Sequence, residues 1–189
     1  MLDPILEAFV TPIMHFLQLY VRKAVAAQDY SVPYQVNALF HVLCHLCKVR
    51  GYKTIVKFFP HEVSDMEQVV ELLHFQETPE LEVERTTAPK ETKNWNPQYW
   101  QVPYILVLWL SIIVLVPFDL TTIDSQRSQE ILVKRIINIG RTHSTDPGKI
   151  RDGAAVLLSK LITRPDVVRS GELDTFLESV TAQFLEASD

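Results

Sequence analysis

The run from Tyr104 to Leu120, YILVLWLSIIVLVPFDL, limits what this chain can become more than any other feature. No residue from Val102 to Phe118 is charged. A helix that is apolar on every side must be covered on every side, either by lipid or by other helices. The prolines decide between the two. Pro103 suits a first helical turn and Pro117 stops a helix just before itself, so the spacing predicts a helix over 103–116, about 21 Å long at ~1.5 Å per residue. That falls short of a hydrocarbon slab of ~30 Å. The nearest cations are Lys93 and Arg127, and Asp119 follows at once, so the cationic flank that orients a membrane segment is missing. The reading is a buried core helix with no membrane insertion.

Such a helix needs partners, and the composition supplies them. Of 189 residues, 47% are hydrophobic and 22% charged, enough for a sizeable core. The formal net charge of −5 leaves no surplus of cations for phosphates, which argues against nucleic acid as the partner. Two cysteines, both in Cys44-His-Leu-Cys47, and no signal-like leader point to a reducing, cytoplasmic setting. Eleven prolines against five glycines start and stop helices often while leaving little for hairpins. The expected fold class is all-α, with roughly seven or eight helices of about 8 to 25 residues.

Along the chain, Asp3-Pro4 offers a cap and a first-turn proline. Ile13, Phe16, Leu17, Val21, Ala24 and Val25 form one stripe, which Pro12 begins or kinks. Pro33 breaks the helix. Val36, Leu39, Phe40, Leu43 and Cys47 make a second stripe closed by Gly51 as a left-handed cap. Tyr52 to Phe59 is a short apolar segment ended by Pro60, and Ser64-Asp65-Met66-Glu67 reads as a capping box. Residues 77–97 carry mixed charge and no apolar period, and are expected to be a polar, mobile loop within a single domain over 1–189, whose helices match either a compact bundle or a stack of helix pairs. A helix from Gln129 to Gly140, another opening at Asp146-Pro147 with Ile150, Ala154, Leu157, Leu158 and Leu161 inward, and a last one near Ser170 with Leu173, Phe176, Leu177, Val180 and Phe184 complete the pattern. The opening Ile150-Arg-Asp-Gly-Ala-Ala is like the inner helix of a HEAT repeat, where small residues let helices approach closely.

Chemistry-bearing residues are few. His41, Cys44 and His45 could share a helix face, but Cys47 lies about 200° from His45 on a helix turning ~100° per residue, and no second ligand pair follows for zinc. His15, His61, His74 and His143 share no motif. No phosphate-cradling or nucleophile motif is present, so no catalytic, metal or cofactor site is expected. The run Lys48-Val-Arg50-Gly-Tyr52-Lys53 could anchor a partner through an aromatic among cations, or could simply place cations at a helix C-terminus. Arg164 and Asp166 read as a local salt bridge fixing a turn between helices, and Asp119 as an N-cap or turn acceptor.

Several strings together resemble one family. KVRGYK at 48–53, FPHEVSD at 59–65, LWLSIIVLVPFDL at 108–120, RDGAAV at 151–156 and ITRPDV at 162–167 are similar to the tubulin-specific chaperone D family, in order and with similar spacing. The resemblance implies an N-terminal portion of a large cytosolic α-solenoid of HEAT or armadillo-like repeats, with 1–189 as a single helical-repeat domain. It implies a non-enzymatic scaffold that captures β-tubulin, works with cofactors E and C and an Arf-like small GTPase, and assembles or dismantles the αβ-tubulin heterodimer. Stimulation of tubulin GTP hydrolysis would come only with cofactor C, through no residue that can be named here. The implied setting is cytoplasmic and microtubule-associated. A generic helical-repeat adaptor for peptides or folded partners is the alternative. Lys48, Arg50, Tyr52, Lys53, His61 and Glu62 are the candidate partner-binding residues. Pro103, Trp109, Pro117, Asp119, Arg151, Asp152, Arg164 and Asp166 are the structural ones. A solenoid ending between repeats exposes an apolar face, so self-association of this chain is also expected.

Overall fold

The computed structural model describes residues 3–76, 100–120, 129–146 and 148–186. Among the described residues there are nine α-helices and no strand. They are α1 (Leu6–Ala27), α2 (Tyr34–Arg50), α3 (Tyr52–Ile55) and α4 (Asp65–Gln76). Beyond the 77–97 segment, which lies outside the described residues, follow α5 (Gln101–Ile113), α6 (Gln129–Ser144), α7 (Lys149–Ile162), α8 (Pro165–Arg169) and α9 (Glu172–Glu186).

The packing order makes this a solenoid. In one layer α1 packs on α4 and α4 on α6; in the other α2 packs on α5 and α5 on α7. Contacts between α1 and α2, α4 and α5, and α6 and α7 join the layers, so three helix pairs stack side by side. Each amphipathic helix thereby buries its stripe against a neighbour in its own layer and a partner in the other, the arrangement that makes repeat stability a sum of nearest-neighbour terms. The short α3 and the 3₁₀ turn Val56–Phe58 bridge the first pair to the second. The ion pair between Lys134 of α6 and Glu172 of α9, 3.6 Å, continues the first layer toward the C-terminus.

Helix α5 is the central element, touching α2, α4 and α7. Its residues Ile105 to Leu110 are all buried, and the fully buried Trp109 donates its indole N–H to the Pro60 carbonyl at 2.6 Å. At thirteen residues it is about 20 Å long, and among the described residues no helix is long and apolar enough to cross a membrane. It ends at Ile113 rather than at 116, because Arg164 captures the Val114 and Val116 carbonyls that further helical turns would have used.

Several local expectations are corrected. In α1 the buried face is Leu6, Val10, Met14, Leu17, Val21 and Ala24; Phe16 is exposed and Ile13 and Val25 are only half-buried. The helix has two apolar faces, and contact with α4 chooses between them. Pro12 sits inside α1 on the exposed side, where the Ala8 carbonyl it leaves unpaired can meet water. Gly51 has φ +81° but ψ +135°, so it is not a left-handed helical cap. It must end α2 and begin α3 at once, and its carbonyl accepts the Thr54 N–H at 3.1 Å. Gly140 does not end its helix: α6 runs on to Ser144, and Gly140 lies where an added Cβ would stand 2.6 Å from Leu158 Cγ. Asp146 does not cap α7, which starts at Lys149 behind Gly148; its carboxylate lies 2.7 Å from Nδ1 of the buried His143. On α9, Leu177 and Phe184 are exposed instead of buried.

Candidate functional site

The end of α2 presents Lys48 and Arg50 to solvent, and Gly51 swings the chain so that Tyr52 and Lys53 open α3. Lys48 Nζ lies 4.8 Å from the Trp100 ring centroid, a cation–π contact that holds the side chain at the mouth of a cleft. That cleft has a volume of about 320 Å³ and is lined by Cys47, Lys48, Gly51 and Tyr52, by Tyr104 and Leu108 of α5, and by Lys149, Asp152 and Gly153 of α7. A Cβ on Gly153 would lie 3.5 Å from Tyr104 and Val107, the approach that seats α7 on α5. Asp152 pairs with Lys149 at 3.0 Å rather than with its neighbour Arg151, which is exposed.

His61 and Glu62 lie elsewhere. They line a second cleft of about 410 Å³ with Glu7, Thr11, His15 and Gln18 of α1 and with Lys57, Phe58, Phe59 and Pro60. Arg22 reaches Glu62 and the buried Asp65, each at 2.6 Å, and Gln18 adds a 2.6 Å hydrogen bond to Asp65. The hydrogen bond from Arg22 is the largest cause holding the Glu62 carboxyl below the usual carboxylate range. The network ties α1 to the start of α4, where a carboxylate also suits the helix N-terminus. Of the six candidate partner-binding residues, Lys48 and Tyr52 line the first cleft, His61 and Glu62 the second, and Arg50 and Lys53 are in the lining of neither.

Arg164 and Asp166 form the tightest polar junction. The Arg164 guanidinium donates to both Asp166 oxygens, at 2.9 and 2.8 Å, and also to the carbonyls of Val114, Val116 and Phe118. Asp166 in turn accepts the Leu120 N–H at 2.9 Å. Burial pushes the Asp166 carboxyl up, but the Arg164 hydrogen bonds, the Leu120 N–H and the Arg164 charge outweigh it and the net shift is downward. Asp119 lies 3.7 Å from Arg169, adding a looser link between the same two segments. Pro103 is half-buried in the first turn of α5, and Pro117 is exposed in the turn that Arg164 clamps.

Cys44 and Cys47 both face the core. Burial drives the Cys47 thiol up to about 12 and raises Cys44 as well, so neither is a thiolate near neutral pH. Burial likewise raises the Tyr104 hydroxyl above its ordinary value. His45 Nδ1 lies 2.8 Å from the His41 carbonyl, a contact within one helix. Among the described residues no three His, Cys, Asp or Glu side chains converge as a metal site would require.

Sequence reasoning did not find Tyr104, Leu108, Lys149 and Gly153 as cleft residues, nor the Arg22, Gln18 and Asp65 network. Gly153 lies within the RDGAAV string and Lys149 two residues before it, the one signal that pointed near them. The five strings prove to be junctions around α5. The 59–65 string meets Trp109 through Pro60, the 108–120 string is clamped by Arg164, and the 48–53 and 151–156 strings face each other across Leu108.

Stacked helix pairs with clefts between them define the class: an α-solenoid. Residues 1–184 match the family described as tubulin-specific chaperone D-like, ARM repeat, and the chain belongs to that family. It is 27% identical to tubulin-specific chaperone D of Dictyostelium discoideum, over 68% of this chain and 13% of the relative. It is also 27% identical to tubulin-folding cofactor D of Schizosaccharomyces pombe, over 69% of this chain and 10% of the relative. The chain thus spans about a tenth of the length of these curated relatives. No solved structure matches.

Proposed function

We propose that this chain is a non-enzymatic framework of a tubulin-folding cofactor, contributing surface to the capture of β-tubulin in the cytoplasm. The observation that carries the reading is the family match over residues 1–184 of a chain whose helices stack pairwise. A solenoid holds a folded client by broad complementarity along its layers, and needs neither a deep pocket nor a reacting group. On this reading cofactors E and C and an Arf-like small GTPase act on the same client. On the same reading, GTP hydrolysis by tubulin is stimulated only in the complete assembly with the other cofactors; Arg22, Arg135 and Arg164 of this chain are committed to internal carboxylates. Association with the microtubule cytoskeleton follows from the same client.

The test is retention of purified αβ-tubulin, cofactor E and the Arf-like GTPase by this immobilised chain in detergent-free buffer, with a full-length family member beside it. Retention of tubulin by the chain places a client surface within these residues. Retention by neither protein rejects the chaperone reading, and preference for short unfolded peptides over tubulin favours a general adaptor.

A further inference from the structure

We infer that the cleft between the end of α2, α5 and the start of α7 is a docking pocket for an acidic segment of a partner protein that carries a bulky apolar side chain. The inference rests on the scaffold reading and names the chemistry that one face of that scaffold selects. The cleft volume of about 320 Å³ falls in the range of ligand-binding pockets. Its floor is apolar and rigid: Leu108, Tyr104 and Cys47 are buried parts of the core, and Gly153 contributes a wall with no side chain. The rim is cationic. Lys48 and Lys149 are exposed on opposite sides, Tyr52 brings a half-buried ring and hydroxyl, and Asp152, the one carboxylate of the lining, is paired with Lys149.

The neighbouring sequence strengthens the sign. Residues 48–53 and 149–153 together hold five cations, Lys48, Arg50, Lys53, Lys149 and Arg151, and the single acid Asp152, within a chain whose net charge is −5. The start of α7 lines the same rim through Lys149, Asp152 and Gly153, and a helix N-terminus carries partial positive charge. A local basic rim on an acidic molecule attracts a short anionic segment while the distant field opposes a long polyanion. The apolar floor then rewards an aromatic or leucine side chain, which a nucleic-acid backbone does not supply. A protein segment with carboxylates flanking one large apolar residue satisfies both parts of the cleft.

The test is a titration of the isotope-labelled whole chain with the peptide Glu-Glu-Phe-Leu-Glu-Glu, followed by amide NMR. The controls are Gln-Gln-Phe-Leu-Gln-Gln, Glu-Glu-Ala-Ala-Glu-Glu and a short oligothymidine. The expected result is saturable shifts confined to residues around Gly51, Tyr104 and Gly153, with affinity falling at least tenfold for either control peptide. It should fall equally in the Lys48→Glu/Lys149→Glu variant, whose fold is checked by its unchanged thermal transition. If charge reversal unfolds the chain, Lys149→Gln alone, at an exposed position, must still weaken binding severalfold. Shifts elsewhere, equal binding of the glutamine peptide, or stronger binding of oligothymidine overturns the inference. Retention of αβ-tubulin is measured on the unsubstituted chain and on a full-length family member. Peptide binding with tubulin retained by neither leaves the pocket standing and removes the chaperone reading, whereas tubulin retention with no peptide binding does the reverse.

Discussion

Replacing Arg164 with alanine removes the side chain that makes most of the polar contacts closing the turn after α5 onto α8. Three consequences follow from the geometry. The buried Asp166 carboxylate loses both Arg164 hydrogen bonds and keeps only the Leu120 N–H. The Val114, Val116 and Phe118 carbonyls lose their shared donor; the exposed Phe118 carbonyl can turn to water, while Val114 and Val116 belong to buried residues. The Arg164 stem, whose side chain is 11% exposed, leaves a gap. Stranding one partner of a buried ion pair costs about 3–5 kcal/mol, and we expect the whole substitution to fall in that range. Against a domain stability of about 5–15 kcal/mol, that is a large share. Urea unfolding at low protein concentration, followed by far-ultraviolet circular dichroism, measures it as a lower midpoint at constant slope. Arg164→Lys should recover less than half, because one ammonium cannot serve two carboxylate oxygens and three carbonyls together. Adding Asp166→Asn to Arg164→Ala should cost far less than Asp166→Asn does alone, a coupling of about 2 kcal/mol or more within the 0.5–3 kcal/mol expected of contacting residues. A loss below about 1 kcal/mol, as for an exposed pair, or additive effects would refute the staple.

The remaining expectations are shorter. Because the folded Asp166 carboxyl is held below its ordinary value, its contribution is fully present above the unfolded value of about 3.9 and is lost as pH falls through the lower folded value. The unfolding midpoints of wild type and Asp166→Asn should therefore converge below about pH 4, and a gap that stays constant with pH would contradict this. Gly140→Ala should destabilise by about 1–3 kcal/mol through overpacking, with Leu158→Ala in the same chain giving back part of the loss; a neutral Gly140→Ala would show that Leu158 moves freely. Cys44 and Cys47 should react with Ellman's reagent orders of magnitude more slowly in the native chain than in urea, and rapid native labelling would mean that the α2 face opens. Exposed Phe9, Phe16 and Leu19 on α1 and Leu177 and Leu185 on α9 should drive concentration-dependent self-association in sedimentation, reduced by Phe16→Lys; a monomer at every concentration would exclude it.

What could be read from the linear order was whatever depends on local pattern and chain stiffness. The uncharged run marked α5 as a helix needing cover on all sides, and Pro103 and Pro117 set its length too short for lipid, because proline restricts the backbone whatever surrounds it. The stripe in α2 placed Val36, Phe40, Leu43 and Cys47 in the core for the same reason: a period of 3.6 is a property of one helix. The all-α class followed from such elements, whereas the repeat architecture came from the resemblance of the five strings to one family.

Tertiary contact decided the rest. Helix α1 has apolar residues on two faces, and only the position of α4 selects Val10, Met14 and Leu17 over Phe9 and Phe16. Gly140 looks like a helix end by composition, yet close approach to Leu158 makes it an interior residue. The basic run at 48–53 is a cleft wall only because α5 and α7 bring Leu108, Lys149 and Gly153 to it from about 50 and 100 residues away. His61 and Glu62, close to it in sequence, are drawn to α1 by Arg22 instead. Periodicity and proline act within one element, so the chain determined its helices alone; the choice of buried face and the assembly of each cleft are set by which helices touch, and that is a property of the stack.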